Sequence, residues 1–209
     1  MHTMDPATEA PDGARSSPAA TRNATAILDV LKGALPARGD VLEIAAGTGQ
    51  HAAVFASALP GLTWRPTDVS DEALASIAAW RAGGPTNLAA PVRLDVMTAE
   101  TWPKDPVDAI VAINLLHISP WAVTGALMDR ASACLPRGGL LFLYGPFREA
   151  GQPLAESNAA FDESLKARDP DWGLREVEAV AAEASARGLA LTLRKAMPAN
   201  NLSLLFRRP

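Results

Sequence analysis

Residues 41–52, Val41-Leu42-Glu43-Ile44-Ala45-Ala46-Gly47-Thr48-Gly49-Gln50-His51-Ala52, decide the fold. Val41 to Ala45 is a short apolar run broken by a single acid, which reads as a buried strand. Gly47 and Gly49 then supply the backbone freedom of a tight turn that hands the chain to a helix over 50–58. The turn satisfies the Gly-x-Gly-x-x-Gly/Ala dinucleotide fingerprint, and Asp68 stands 19 residues beyond Gly49, after a second strand at 62–67.

The same rhythm extends in both directions. Upstream, Ile27, Leu28, Leu31 and Leu35 recur at helical spacing, so a helix is expected from near Asn23 until Pro36 stops it. Downstream the pattern gives a helix at 71–80, strands at 91–95 and 107–113, a helix at 121–133 and a strand over Leu140 to Tyr144. Ser119-Pro120-Trp121 reads as a helix start, with Ser as N-cap and Pro at the first helical position. Residues 145–172 break the rhythm; Gly, Pro and polar groups surround one amphipathic stretch, Ser157 to Arg168, which reads as a lid insertion. A helix at 174–186, a strand at 189–195, the link Met197-Pro198-Ala199-Asn200-Asn201 and a strand at 202–206 complete the chain. Strands joined by helices make a parallel, doubly wound α/β sheet. The last link is shorter than the roughly dozen residues of a parallel crossover, so the final strand is expected to run antiparallel.

The 209 residues amount to one domain. Residues 1–21, rich in Ala, Pro, Ser, Thr and Asp, are expected to form a flexible tail before a domain at 22–209. Nineteen Lys and Arg against 23 Asp and Glu give a net charge of −4, which offers a polyanion no attraction and argues against nucleic acid as a partner. No apolar run approaches the ~18 residues of a membrane span. The single cysteine, Cys134, allows no internal disulfide and joins no metal-ligand spacing, so the expected setting is cytoplasmic and the expected metal content none. Its place after the 121–133 helix reads as buried and inert.

Charge separates the ligands that the turn allows. A nicotinamide dinucleotide would bring a pyrophosphate to it, whereas S-adenosylmethionine brings a sulfonium and an ammonium. Glu43, Asp68 and Asp95 follow three successive strands and share the carboxyl edge of the sheet, where open α/β folds bind ligands. An acidic rim repels phosphate and suits a cation.

With these residues in place, the chain resembles the class I S-adenosylmethionine-dependent methyltransferases, and within them the DUF938 or methyltransferase-like 26 group. The resemblance is carried by Arg22-Asn23, Leu42 to His51, Asn114-Leu115-Leu116-His117-Ile118-Ser119-Pro120-Trp121, Tyr144-Gly145-Pro146-Phe147, Ser157-Asn158, Phe161-Asp162, Arg168-Asp169, Trp172-Gly173 and Met197 to Asn201. It implies a seven-stranded Rossmann-like sheet with an antiparallel last strand. It also implies that Glu43 and the backbone of Ala45, Gly47 and Gly49 lie along the methionine moiety, that Asp68 holds the ribose, and that Asp95 and Val96 face the adenine. By the same resemblance Asn114 and Leu115 lie beside the methionine and the reactive methyl, and the segments holding Arg22, Asn23 and Asn200 close over the site. Ala45 departs from the broad class, where many members have glycine.

Methyl transfer from a sulfonium is an in-line displacement, so alignment and exclusion of water matter most. A general base helps where the nucleophile carries a proton, and His117, just after the fourth strand, is the best placed candidate. The competing reading is a structural histidine bonded to a loop carbonyl. His51, at the start of the helix after the turn, reads equally as a cofactor contact or as packing. Tyr144, ending the fifth strand, reads as a substrate hydrogen bond or as core. Asn158 and Asp162, four residues apart, share one face of the insertion helix and read as pocket wall or as solvated surface. Trp121 and Trp172 are the tryptophans expected to face the pocket, while Asn200 and Asn201 read as site closure or simply as turn formers.

The sequence thus leads to a methyltransferase that moves a methyl group to an oxygen or nitrogen of a small molecule, leaving S-adenosylhomocysteine. The short chain, with no added recognition domain, favours a metabolite as acceptor and a monomer or homodimer as the working form. A non-catalytic S-adenosylmethionine-binding protein acting through partners is the alternative. An NAD-dependent oxidoreductase is a third reading, disfavoured by the acidic rim.

Overall fold

The computed structural model describes residues 10–209. Seven strands form one sheet: β1 (Gly39–Ile44), β2 (Leu62–Asp68), β3 (Val92–Arg93), β4 (Ala109–Ile113), β5 (Leu140–Gly145), β6 (Ala190–Met197) and β7 (Asn201–Arg207). Their order is β3-β2-β1-β4-β5-β7-β6, with β1 to β5 parallel and β7 antiparallel to both of its neighbours. The short 197–201 link therefore makes the expected reversal.

Alternation along the strands divides the core into two layers. Val41, Val111, Phe142 and Trp64 face one side, where α1 (Pro18–Ala34) and α2 (Gln50–Ala58) cover them with Ile27, Leu31 and Phe55, and α3 (Asp71–Ala82) adds Trp80. Leu42, Ile44, Ile110, Leu141 and Leu143 face the other side, packed by Leu127 and Met128 of α4 (Trp121–Cys134) and Val180 of α6 (Val177–Ser185). The chain leaves β1 toward β2 on one side and later returns to β4 on the other. The carboxyl ends of β1 and β4 consequently flank the crevice of a doubly wound sheet.

Several local expectations are corrected. α1 begins at Pro18, not near Asn23: Ser17 is the N-cap, accepting from Ala20 N–H, and Pro18 supplies a preset first turn. The expected tail boundary at residue 21 thus falls inside this helix. Before it, Arg15 donates its N–H to Ser76 and its carbonyl accepts Trp80 Nε1–H. Residues 1–9 of the expected tail lie outside the described residues.

Ser119 does not cap α4. Its hydroxyl bonds back to the carbonyls of Leu115 and Leu116, closing a 3-10 turn at Leu116–Ile118, and Pro120 occupies the cap position. The third strand shrinks from 91–95 to Val92–Arg93, because Asp95 folds the chain into a turn by accepting Met97 N–H and Thr98 Oγ1–H. α6 starts at Val177, after residues 173–176 run extended along the insertion. Cys134 ends α4 half-buried, not sealed in the core, with burial raising its thiol pKa. Among the described residues, no helix is long and apolar enough to cross a membrane.

The docking of α1 can be tested by two variants. Leu31→Ala empties a fully buried position and is expected to lower unfolding free energy by about 2–5 kcal/mol in urea titrations. Ser17→Ala removes a long, 3.5 Å cap bond and is expected to lower it by only about 0.5–1 kcal/mol.

Candidate functional site

β1 carries Glu43 into the core layer under α2, where it is 1% exposed. Trp64 of β2 donates Nε1–H to its Oε2 at 2.6 Å, and Thr67 donates its hydroxyl to the Glu43 carbonyl at 2.7 Å. Burial pushes the Glu43 pKa up to about 7; the Trp64 bond opposes this and the nearby Asp68 charge adds to it. The chain then turns sharply. Ala45 sits at φ 54°, a left-handed conformation that disfavours any Cβ, so the glycine common at this position is replaced at a cost in backbone strain.

Gly49 is fixed by close approach. A Cβ there would lie 2.8 Å from Ile77 Cγ1 and 2.9 Å from Ile77 Cα, so only glycine lets the turn pack on α3. Gly47 N–H donates to Asp68 Oδ2 at 2.9 Å, and Ser70 N–H donates to Oδ1 at 3.0 Å. Asp68 therefore holds the turn and the end of β2 together while keeping lone pairs on both oxygens.

His51, in the first turn of α2, is buried and stacks on Phe55, which meets Trp64 edge-on. Its Nε2 lies 2.7 Å from Asn23 Oδ1. Asn23 and His51 thus pair between α1 and α2. Burial lowers the His51 pKa to about 4 and raises that of Tyr144, so both stay neutral near pH 7. Arg22, next to Asn23, is exposed.

Across the crevice, Asn114 leaves β4 in a left-handed conformation, φ 58°, and donates its N–H to the Tyr144 carbonyl at 2.8 Å. Leu115 follows half-buried, and His117 lies buried in the 3-10 turn. A Cβ on Gly145 would lie 3.3 Å from both Asn114 Oδ1 and the His117 ring, so the three residues meet at the ends of β4 and β5. Burial, with the Arg175 charge second, lowers the His117 pKa to about 4. Asp95 and Val96 stand beyond β3, where Asp95 is engaged with its own turn and the Val96 carbonyl accepts Trp102 Nε1–H.

The insertion forms α5 (Glu156–Arg168), and its inner face is buried, which removes the solvated-surface reading of Asn158 and Asp162. Asp162 accepts Leu174 N–H at 2.7 Å and Lys166 Nζ–H at 2.6 Å, with Arg148 3.7 Å away. Burial raises its pKa, but these bonds and charges outweigh that and hold it low. The carboxylate ties the insertion together; it is not brought to the cluster around Tyr144. Asn158 Nδ2–H donates to the Asn200 carbonyl, and Asn200 bonds Ser157, so the 197–201 link is fastened to α5. Trp121 is partly exposed beneath Arg175, and Trp172 stacks with Arg168.

Two residues at this edge were not singled out in the sequence: Trp64 holds Glu43, and Arg175 clasps the carbonyls of Leu116 and Ser119. Phe161 and Gln50, quoted there only within motifs, respectively meet His117 edge-on and accept Ser17 N–H. The period-2 pattern of β2 puts Trp64 on the same face as Glu43 and so carried a signal. Arg175 carried none, because its partners are backbone atoms 56 to 59 residues away.

The sequence profile of DUF938, a protein family of unknown function, matches residues 14–208. Among solved structures, an O-methyltransferase family protein from Burkholderia thailandensis superposes with a TM-score of 0.74 at 19% identity, over 91% of this chain and 57% of that one. Human N-acetylserotonin methyltransferase, solved with S-adenosylmethionine, gives 0.77 at 14% identity over 91% and 52%. The mitomycin 7-O-methyltransferase MmcR gives 0.76 at 19% identity over 91% and 54%. The chain thus spans between 52% and 57% of the length of these three proteins. The likeness establishes the class I methyltransferase fold.

The buried groups make stability depend on pH in opposing directions. Glu43, raised in the folded state, favours the folded protein at low pH, and that contribution is lost as pH rises from 4.5 to about 7. His51 and His117, lowered from 6.5 to about 4, act the other way, because the unfolded chain binds their protons first as pH falls. From pH 6 to 5 two histidines oppose one carboxyl, so the three groups together should remove about 1.4 kcal/mol per pH unit. Glu43→Gln should roughly double that slope in urea titrations at pH 6.0, 5.5 and 5.0. Equal slopes in the two proteins would mean that Glu43 is already ionised in the folded state.

Proposed function

The chain belongs to the DUF938 family, and on that footing we propose that it is an S-adenosylmethionine-dependent methyltransferase acting on an oxygen or nitrogen of a small molecule. The closer resemblance to the methyltransferase-like 26 group is part of this reading, as are a lid at 145–172, a cytoplasmic setting and a methyltransferase domain that takes in the whole of α1. The observation that carries the choice of cofactor is the Gly47–Asp68 hydrogen bond. A dinucleotide turn aims its amides at a pyrophosphate. In this chain a carboxylate already accepts the amide of Gly47, and a phosphate brought there would meet a like charge.

The donor and acceptor set fits S-adenosylmethionine. When bound, that cofactor supplies an electrophilic methyl group on a sulfonium. Asp68 keeps lone pairs for the ribose hydroxyls, and Glu43 with the backbone of Ala45 to Gly49 is the side assigned to the methionine moiety. Asp95 and Val96 are assigned to the adenine, and Asn114 and Leu115 to the neighbourhood of the methyl. A cationic ligand beside Glu43 would favour its ionised form and release a proton near neutral pH.

His117, Tyr144 and the crevice wall then orient the acceptor. With its pKa near 4, His117 is neutral at pH 7 and weakly basic. Taking a proton from a group of pKa ~10 would be uphill by about 8 kcal/mol. Its role is therefore to accept a hydrogen bond that aims the nucleophile's lone pair; as the bond to the methyl forms, the nucleophile's acidity rises steeply and its proton passes to the imidazole and on to solvent. Asp162 acts as a positioning residue that holds the lid.

Calorimetry with S-adenosylmethionine, S-adenosylhomocysteine and NAD tests the cofactor; tight NAD binding without S-adenosylhomocysteine binding would overturn the assignment. Incubation with methyl-labelled cofactor and metabolite extracts tests catalysis, and an absence of labelled product across varied extracts would leave a binding protein. His117→Ala is expected to lower turnover about 10- to 100-fold with S-adenosylhomocysteine affinity unchanged. The wild-type pH–rate profile should show no limb near 6.5 from this residue.

A further inference from the structure

A cavity of about 590 Å³ lies away from the glycine turn. It opens between the 147–155 segment of the insertion and the end of β6 with the start of β7. Phe147, Met197 and Leu202, each buried, supply an apolar floor, and Leu154 and Pro153 extend it. The volume is in the range of small-molecule sites, roughly 300–1,000 Å³.

Two observations join this cavity to the crevice. Asn158 lines it, while Phe161, one turn further along α5, meets the His117 ring at 5.5 Å. Leu202 lines it and pairs across the sheet with Gly145, which abuts Asn114 and His117. α5 and the β5–β7 pair thus border both the cavity and the place assigned to the reactive methyl.

The polar groups of the wall define what it can accept. Asn158 spends Nδ2–H on the Asn200 carbonyl at 2.9 Å. Asn201 spends Nδ2–H on the carbonyls of Pro198 and Ala199, at 3.0 and 3.2 Å. A side-chain carbonyl turned toward those backbone oxygens would be repelled, so both amide orientations are fixed by chemistry. Each Oδ1 is thus left free to accept a bond from a ligand, and Asn158 keeps one further N–H. The wall's charges give an anion little purchase: Arg148 lies by Asp162, Glu149 is paired with Arg194 at 2.9 Å, and Glu176 adds a further negative group.

We propose that this cavity is the acceptor chamber, and that it takes an uncharged small molecule with an apolar face and N–H or O–H donors read by Asn158 and Asn201. This rests on the methyltransferase reading above, and it narrows the acceptor to neutral, donor-bearing metabolites and away from carboxylates and phosphates.

Benzamide, an aromatic ring with an N–H donor pair, and benzoate, its anionic counterpart, are suitable probes. Each is titrated into the full chain holding S-adenosylhomocysteine, followed by NMR shifts of the Met197 methyl and of the Asn158 and Asn201 side-chain amides. Benzamide should move these signals with millimolar affinity, at least tenfold tighter than benzoate, without displacing S-adenosylhomocysteine. Ala196→Trp, which fills the cavity mouth, should weaken benzamide at least tenfold and leave S-adenosylhomocysteine affinity unchanged. Benzoate binding as tightly as benzamide, benzamide shifts mapping elsewhere or absent, or competition with S-adenosylhomocysteine would each overturn the chamber. Failure of S-adenosylhomocysteine itself to bind, seen in the same titrations before any probe is added, would instead overturn the methyltransferase reading.

Discussion

Everything at the carboxyl edge depends on one buried acid. Glu43 lies in an interior strand of the sheet, sealed from water, and an unpaired carboxylate there would be strongly destabilising. The protein meets this constraint twice over: the Trp64 indole donates to it, and its raised pKa lets it carry a proton near neutrality. The indole in turn is braced by Phe55 and through it by His51, so β1, β2 and α2 share one polar and aromatic assembly. Asp68 extends that assembly by tying the glycine turn to the end of β2. A group so expensive to bury is retained where its charge state can answer a ligand.

Backbone strain is distributed in the same way. The non-glycine residues with left-handed backbone among those described are Ala45, Asn114, Ala199 and Asn200. They follow β1, β4 and β6, and so all four stand at carboxyl ends of strands. Strain of this kind costs of order 1–3 kcal/mol per residue and persists only where the surroundings enforce it. At Asn114 the enforcing contact is the bond to the Tyr144 carbonyl; at Asn200 it is the pair of bonds to α5. The opposite edge of the sheet carries no such residue among those described. The polarity of the fold, with one edge for stability and one for chemistry, is therefore visible in φ angles alone.

How much of this was legible in the sequence follows from the range of each interaction. The strand, glycine turn and helix of 41–58 and the reversal at 197–201 are set by local pattern and link length, and these readings match the structure. Local rules misled where a tertiary bond competed with them. Ser119 has the sequence of an N-cap, but its hydroxyl reaches back to Leu115 and Leu116, because the 3-10 turn holding His117 needs closing. Asn23 looked like the beginning of a helix because the apolar periodicity starts after it; the cap at Ser17 serves α1 through contacts with α2 and α3 that periodicity does not register. Asp162 had the spacing of a pocket residue, and only the fold reveals that Lys166, Leu174 and Arg148 converge on it.

That convergence bears on how the site opens. A lid that swung on its ends would need few bonds along its length, yet α5 is fastened at its beginning through Asn158 to the 197–201 link and at its middle through Asp162 to Leu174. The following strand is fastened as well, since Gly173 N–H bonds the His117 carbonyl and Arg175 bonds those of Leu116 and Ser119. Moving α5 as a body would break the Asn158–Asn200 and Leu174–Asp162 bonds together and leave Asp162 only its partner on the same helix, Lys166. The 149–155 segment is different: it is mostly exposed and joined to α6 chiefly by Ala150 N–H on Glu178. On the proposed reading an acceptor enters past this segment into the 590 Å³ cavity, while α5 stays in place as a fixed wall. A fixed wall is what the proposed chemistry would need, because an in-line methyl transfer depends on holding the nucleophile in one alignment more than on supplying a strong base.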